Sequence, residues 1–443
     1  MTSLNRDFWR YLWAFILVAL SGCLGEVVDG IIVGNLICAD GVSAINLTRP
    51  LLQLMFTLSL LLSAGAGMLV AYALGQKDTD HAQSIYSRSM VSSLVAGGVF
   101  MLVGLIAPEA VTHLLCDEQA LFEMTNDYGR VMLVGAPIFM ISWGLATMVG
   151  VDGSPRLVSI SVLVVNVVNL VLDLVFIKVF GWGIMSSSVA SVIGNACGIL
   201  VLARHFFYAD NHLKLRSPAG FRWITVMKDI LSQGAPLAIA SVCLTLLLYA
   251  ANSIVLSTMG TNGIFIFSVA INLLTIYNLF LSGTVETLQS LGAVQVGEGN
   301  NEGLRLVIKK ALLFITVSML ITCVYVWCLP ETIARLFGAT DAALISDCNY
   351  ALRIFAISFI PFCYIYTFMI VYKLYGYDRM ALFLSFALSL TVIPVLWLVA
   401  RYFPSLIWYS YLFAYILEVI IIVLIHHFRH LRFELKKECV CVG

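Results

Sequence analysis

Long apolar segments recur along the whole chain of 443 residues, and they constrain its fold more than any other feature. A helix needs about 20 apolar residues to cross the hydrocarbon core of a bilayer. Segments of that kind cover residues 10–33, 46–74, 89–107, 129–150, 157–180, 184–207, 224–258, 262–296, 306–329, 348–375, 380–401 and 406–428. An open sheet cannot span lipid, because its edges would leave backbone groups unpaired. We therefore predict an all-α integral membrane protein with twelve transmembrane helices.

Composition agrees with this prediction. Hydrophobic residues make up 61% of the chain and charged residues 11%, whereas a soluble globular chain has roughly 45–50% apolar and about 25% charged residues. The 25 basic and 25 acidic residues balance, so nothing indicates nucleic acid as a partner.

The distribution of basic residues predicts the orientation of the helices. With the N-terminus placed inside the cell, six lysines and arginines fall on the outer side: Arg49, Arg130, Lys178, Arg335, Arg353 and Arg401. The others among the 25 fall on the inner side. Because short cytoplasmic loops carry an excess of lysine and arginine, both termini are predicted to be cytoplasmic.

The two halves of the chain carry similar landmarks at one offset. Pairs of identical residues lie 222 positions apart: Gly75 and Gly297, Pro108 and Pro330, Glu109 and Glu331, Tyr128 and Tyr350. Six helices per half is an even number, so both halves have the same orientation and their pseudo-two-fold axis runs along the membrane normal. We predict an N-lobe over residues 1–207, a cytoplasmic linker over 208–223, and a C-lobe over 224–443 that ends in a short basic tail.

Acidic and amide residues interrupt two spans of the first half. The first span contains Glu26 and Asp29, and the fifth contains Asn166, Asn169 and Asp173. The last three are spaced i, i+3, i+7, which places them on one face of a helix. Charged groups in membrane helices are costly and usually face a cavity or a partner.

The sixth span adds hydroxyl and amide groups, among them Ser191 and Asn195. Together with Asp29 and Asp173, these oxygens suit a small cation, and they could equally hold a proton on Asp173, because burial disfavours the charged carboxylate. Hydrogen bonding between helices is the alternative interpretation of the asparagines and serines.

The second half has a different pattern, because its fifth span carries neither Asn nor Asp. Glu286 and Gln289 lie in the small and polar segment SGTVETLQS, where a cavity-facing position is predicted, and Tyr277 is a candidate for lining a drug-sized pocket. Glu418 is interpreted as structural. Asp152 falls at a helix break, where a turn-forming or capping role is predicted.

At these residues the sequence resembles the MATE family of multidrug and toxic compound extrusion transporters. The resemblance is carried by VVDGIIVGNLICADGVSAINLTRPLLQL, by GAGMLVAYALGQKDTDHAQ and by VVNVVNLVLDLVFIKVFGWGIMSSSVASVIGN, the last similar to the DinF-like bacterial branch. It implies a cation site at Asp29, Asn169, Asp173 and Ser191, where serine replaces the threonine of that branch. Glu26 is not part of the family pattern.

The resemblance also implies a mechanism. A monomer in the bacterial inner membrane would exchange Na⁺ or H⁺ for a small organic substrate by alternating access, with no cofactor beyond the coupling ion. Apart from the resemblance, the polar and aromatic residues of the spans supply candidates for the substrate or its cavity: Glu26, Asn166, Asn195, Tyr277, Glu286 and Gln289. The nearest alternative is a flippase for a lipid-linked saccharide precursor, since such proteins share the superfamily fold.

Other classes fit less well. Major facilitator transporters carry a GxxxDRxGR loop after the second helix, which GQKDTDHAQSIYSR does not match. An enzyme would need a nucleophile with a base, or metal ligands, near an interface. His426, His427 and His430 instead lie at the end of the last helix, where cationic side chains suit the helix dipole. We therefore predict that the chain is not an enzyme.

Overall fold

Helices make up the regular secondary structure of the described residues in a computed structural model, which describes residues 2–208, 211–214 and 223–429. The α-helices are α1 (Thr2–Leu36), α2 (Ala39–Gly75), α3 (Thr79–Ile106), α4 (Pro108–Leu115), α5 (Gln119–Val134), α6 (Ala136–Val151), α7 (Pro155–Lys178), α8 (Met185–Ala203), α9 (Trp223–Gly297), α10 (Asn301–Cys328), α11 (Pro330–Leu336), α12 (Ala342–Leu374), α13 (Asp378–Leu390), α14 (Val392–Tyr402) and α15 (Ser410–Arg429). Most of the predicted linker 208–223 and the tail beyond residue 429 lie outside the described residues.

The helices reproduce the predicted crossings. Among the described residues, nine helices are long and apolar enough to cross a membrane, and the bent pair α5 and α6 adds a tenth. One of the nine is the 61-residue stretch Leu237–Gly297. At about 1.5 Å per residue it is far longer than a hydrocarbon core of about 30 Å, so it makes two crossings. The bent pair, the second crossing of Leu237–Gly297 and the helix α1 raise the nine crossings to twelve. This is the twelve-helix, all-α membrane fold predicted from the sequence.

A single glycine divides the two crossings of α9. Gly260 has φ +66° and ψ −159°, a backbone conformation outside the helical region. A side chain with a Cβ atom rarely adopts this conformation, whereas glycine does so without a steric penalty. Gly260 is the residue of α9 with non-helical φ and ψ, so the break depends on the backbone freedom of this one residue.

Matching turns support the repeat at the level of local structure. The turn after α2 places Lys77 at φ +62°, and Asp78 caps α3 by accepting a hydrogen bond from the His81 amide at 3.0 Å. In the turn after α9, Gly299 has φ +66°, and Asn300 caps α10 in the same way. These two turns are offset by the same 222 residues that relate the sequence landmarks.

The described chain forms two compact units, one over Val28–Tyr249 and one over Met1–Val27 with Ala250–Gly443. The boundaries between the units fall inside α1 and α9, whereas the predicted lobes meet in the loop 208–223.

Close helix packing within each unit is the physical reason that the boundaries fall inside these two helices. In the Val28–Tyr249 unit, a Cβ atom on Gly65 of α2 would collide with the backbone of Ile230, and one on Gly234 of α9 would collide with the backbone of Leu61. In the other unit, a Cβ atom on Gly283 would collide with Ile16 of α1.

A buried carboxylate ties the end of α8 and the following segment to the turn after α6. Asp152 accepts hydrogen bonds from the His205 ring at 2.8 Å, from the His212 backbone and ring, each at 3.1 Å, and from the Leu213 backbone at 3.3 Å. The Asp152 and His205 side chains are almost fully covered. The predicted turn position of Asp152 is correct, but its side chain mainly joins segments distant in sequence.

Replacing Asp152 by alanine is expected to destabilise the Val28–Tyr249 unit by about 1–3 kcal/mol, because several donors would lose their shared buried acceptor. Thermal unfolding of the purified protein measures this effect. Asp117→Ala is the matched control, since it removes a contact of His113 that is largely exposed to solvent. Equal unfolding midpoints for the two variants would contradict the anchoring role of Asp152.

Candidate functional site

The predicted cation site lies on α1, α7 and α8, within the Val28–Tyr249 unit. Asp173 is fully buried and Asn169 is 6% exposed, whereas Asp29 and Ser191 are half-buried. Asn169 and Asp173 lie one turn apart on α7, so both face the same neighbours. The structure therefore brings the four predicted residues into one cluster.

Small residues on α8 let it approach α7 closely. A Cβ atom added to Gly194 would lie 2.9 Å from the Val165 carbonyl oxygen, and one added to Gly198 would lie 2.6 Å from the Val165 side chain. The Ser161 hydroxyl also donates to the Gly198 carbonyl at 3.0 Å. Small residues four apart commonly permit such contact between membrane helices. Their positions bring the α7 side chains within hydrogen-bonding distance of α8.

Asn169 connects all three helices. With its amide oriented to satisfy both neighbours, its nitrogen donates to Asp29 Oδ1 at 2.7 Å, and its oxygen accepts from Ser191 Oγ at 2.9 Å and from Ser191 N at 3.2 Å. This orientation is assigned from the hydrogen-bond network, as is usual for amide groups. Asn169 therefore holds the α1 carboxylate against α7 and α8.

Asp173 completes the cluster beside this network. Asp29 and Ser187 face its carboxyl group, yet neither of its carboxylate oxygens makes a hydrogen bond in the described part of the structure. The Ser187 hydroxyl likewise has no hydrogen-bond partner among the described residues. Buried polar atoms are normally satisfied, so these three oxygens are the unusual feature of the cluster.

The donor set of the cluster fits a small, hard cation or a proton. It offers carboxylate, amide and hydroxyl oxygens, the ligands preferred by hard cations. No group of three or more His, Cys, Asp or Glu side chains able to hold a metal ion occurs in the described residues. Because its donors are all oxygens, the cluster suits Na⁺ or H⁺ better than a transition metal, which nitrogen and sulfur ligands favour.

The other first-half candidates lie near the cluster or outside the described side chains. Asn166 is a half-buried residue of α7. The Asn195 amide donates to the Ser191 carbonyl at 3.0 Å, within its own helix. The side chain of Glu26 lies outside the described residues. Ser187 was not among the site residues predicted from the sequence, although its spacing of four residues from Ser191 on the same helix was a usable signal.

The second-half candidates belong to the other unit and are not brought together in one cluster. Tyr277 is fully buried and packs against Phe359 with ring centroids 5.1 Å apart, and its hydroxyl has no hydrogen-bond partner among the described residues. Glu286 is exposed, and Gln289 is half-buried. Glu418 is 1% exposed, and its carboxylate oxygens make no hydrogen bond among the described residues. Their predicted roles stay predictions.

The fold and this cluster define a multi-pass membrane transporter in which buried acidic groups lie on membrane-spanning helices. The family model MatE matches residues 15–175 and 236–398. The chain therefore belongs to the MATE family of transporters. The two matched segments begin at nearly the same offset that separates the landmarks of the two halves.

Individual relatives agree with this assignment. The multidrug export protein MepA of Staphylococcus aureus strain MRSA252 is 24% identical over 410 residues, covering 90% of this chain and 89% of its own. MepA of Staphylococcus saprophyticus is 22% identical over 410 residues, and the match covers 91% of this chain and 90% of that protein.

Solved structures show the same fold. An inward-facing MATE family transporter of the MOP superfamily is similar with a TM-score of 0.84 at 20% identity, covering 94% of this chain and 98% of its own. A MOP superfamily transporter from Pyrococcus furiosus, described as having a binding pocket of reversed polarity, has a TM-score of 0.73 at 19% identity, with 96% of each chain covered.

The contact between α7 and α8 is testable. In Gly194→Val, the added side chain would overlap the α7 backbone, separate Asn169 from Ser191 and cost about 1–3 kcal/mol of stability. Thermal unfolding checks the expected lower midpoint. Gly98→Val is the matched control, because a Cβ atom there meets nothing within 4 Å. A Gly194→Val midpoint equal to that of Gly98→Val would show that close packing does not hold the cluster together.

Proposed function

We propose that this chain is a cation-coupled antiporter that exports drugs or other organic compounds, cationic or neutral, by alternating access. It works as a monomer in the bacterial cytoplasmic membrane, with both termini inside. Na⁺ or H⁺ is the coupling ion, and Asp29, Asn169, Asp173 and Ser191 are its binding residues. The observation that carries the proposal is the Asp29 carboxyl group facing the fully buried Asp173 carboxyl group within a cluster of membrane helices.

The charge of this pair supports a role in cation binding. Two adjacent carboxylates repel each other, and the repulsion is strong where water is scarce. Asn169 donates a hydrogen bond to Asp29, whereas the Asp173 oxygens make none among the described residues. Binding a proton or Na⁺ removes the repulsion and gives the unsatisfied oxygens a partner.

Cation binding drives transport only if one conformation binds the cation more tightly than the other. The cluster joins three helices through one amide, so a change at Asp173 acts on the positions of α1, α7 and α8 together. Neutralising the carboxyl pair favours the packing in which these helices are close. The inward movement of the cation along its gradient then supplies the free energy for export.

The substrate class rests on two observations. The relatives from Staphylococcus are named multidrug export proteins. In addition, the lysines and arginines of this chain fall outside the spans or near their ends. Basic side chains lining a substrate cavity between the spans would favour anionic substrates such as lipid-linked pyrophosphates. Their scarcity in the spans favours cationic and neutral compounds.

The first experiment compares ethidium accumulation in efflux-deficient bacteria that express wild type or Asp173→Asn. Wild type is expected to lower accumulation, and Asp173→Asn is expected to reduce the export rate roughly tenfold or more, the usual cost of losing an ion-site group. Asp117→Asn is the control, since it removes the same charge from an exposed position outside the spans. Collapsing the Na⁺ and proton gradients separately identifies the coupling ion.

Two results would count against the proposal. If Asp173→Asn exported ethidium as fast as wild type, the first-half carboxyl pair would not couple transport. If well-expressed wild type changed accumulation for none of a broad panel of organic cations, a flippase for a lipid-linked saccharide precursor would become the better assignment.

The hydroxyl of Ser191 provides a separate prediction about the ion. If Na⁺ is the coupling ion, Ser191→Ala is expected to raise the Na⁺ concentration needed for half-maximal transport several-fold, because an oxygen ligand is lost. Ser191→Thr keeps the hydroxyl and is expected to behave like wild type. Transport assays in proteoliposomes across a Na⁺ series measure both. Equal Na⁺ dependence in Ser191→Ala and wild type would exclude Ser191 as a sodium ligand.

A further inference from the structure

A cavity of about 570 Å³ lies in the unit formed by Met1–Val27 and Ala250–Gly443. Its lining comes from the end of α10, the first turns of α12 and the start of α15. These helix ends all fall on one side, the predicted outer side of the membrane. The cavity therefore lies at the predicted level of the outer lipid headgroups.

One face of α12 makes the polar wall of the cavity. Ser346, Asn349, Tyr350 and Arg353 line it, and their spacing of i, i+3, i+4, i+7 places them on one helical stripe. Side chains on a helix lean toward its N-terminus, which on α12 is the predicted outer end. The stripe thus directs its polar groups toward the headgroup region.

Arg353 forms no ion pair with any described residue of this wall. Its side chain is exposed, and in the described residues its guanidinium contacts the Trp327 ring, with Cζ 6.0 Å from the ring centroid. The indole nitrogen of Trp327 donates to the Arg353 carbonyl at 3.2 Å, which holds the ring in place. A guanidinium offers five donors in a fork that matches the oxygens of a phosphate.

Two further features suit a phospholipid headgroup. Trp327 and Tyr350 are about half exposed, and Tyr409 lies beside Tyr350 with ring centroids 6.5 Å apart. Aromatic residues of this kind are enriched where membrane proteins meet the headgroups. The buried Oδ1 atom of Asn349 has no hydrogen-bond partner among the described residues, so it can accept from a headgroup hydroxyl.

We propose that this cavity binds the headgroup of an anionic phospholipid in the outer leaflet, with the phosphate on Arg353, the acyl chains beside Ile357 and Leu412, and the headgroup hydroxyls near Asn349. The inference is independent of the transport mechanism. A soluble anion would gain the Arg353 contact but would leave the apolar part of the lining unused, and this favours a lipid over free phosphate.

Native mass spectrometry of the purified full chain tests the site, with 1-palmitoyl-2-oleoyl-phosphatidylglycerol as the probe. Wild type is expected to bind it about tenfold more tightly than Arg353→Gln, the cost of one charge-assisted contact. Arg353→Lys keeps the charge and is expected to fall between the two. Wild type is also expected to prefer phosphatidylglycerol to phosphatidylcholine.

Arg335→Gln is the matched control. Arg335 is also a basic residue on the predicted outer side, but it already forms an ion pair with Glu331 at 2.8 Å, so its loss is expected to leave lipid binding unchanged. Equal losses in the Arg335 and Arg353 variants would overturn the proposal in favour of diffuse attraction. Equal binding of the two lipids by wild type would also overturn it. Displacement of the lipid by millimolar inorganic phosphate in wild type alone would identify a free-phosphate site and overturn the lipid assignment.

Discussion

The placement of a fully buried carboxyl group, Asp173, beside the half-buried carboxyl group of Asp29 is the interaction on which the rest of this structure depends. In lipid, a charged group without a partner is costly, and Asp173 is fully covered by the surrounding protein. The Asp29 carboxyl group and the Ser187 hydroxyl face this group, and Asn169 joins Asp29 to Ser191 beside it. Every helix that contributes to the cluster must hold its position closely, because a small displacement would break the hydrogen bonds that join Asn169 to Asp29 and Ser191.

Helix packing meets this demand through small residues rather than through charge. Gly194 and Gly198 allow the backbones of α7 and α8 to lie against each other, and Asn169 then reaches both α1 and α8. In a bilayer, helices gain little from hydrophobic association, so close van der Waals contact and hydrogen bonds hold them together. The same contacts make the cluster sensitive to its charge, which is the property that a coupled transporter needs.

Local chemistry accounts for much of the fold and could be predicted from the sequence. The apolar segments indicated the crossings, and the turns at Asp78 and Asn300 begin the next helices with side-chain caps. The break in α9 occurs at Gly260, between the predicted bounds of 258 and 262. Asp152, in contrast, forms contacts that its local sequence does not predict. Its position at a turn was evident, but its contacts with His205 and His212 join segments more than fifty residues apart.

The sequence by itself determined the membrane class, the number of crossings and the repeat, and its resemblance to the MATE family supplied the four residues proposed to bind the cation. It could do so because hydrophobic length, turn residues and buried charge are properties of short segments. Only the tertiary structure decided that Asn169 bridges Asp29 and Ser191, that Ser187 faces Asp173, and that α1 and α9 each divide between two packing units. These features depend on how closely particular helices approach, and that distance is set by contacts between residues far apart along the chain.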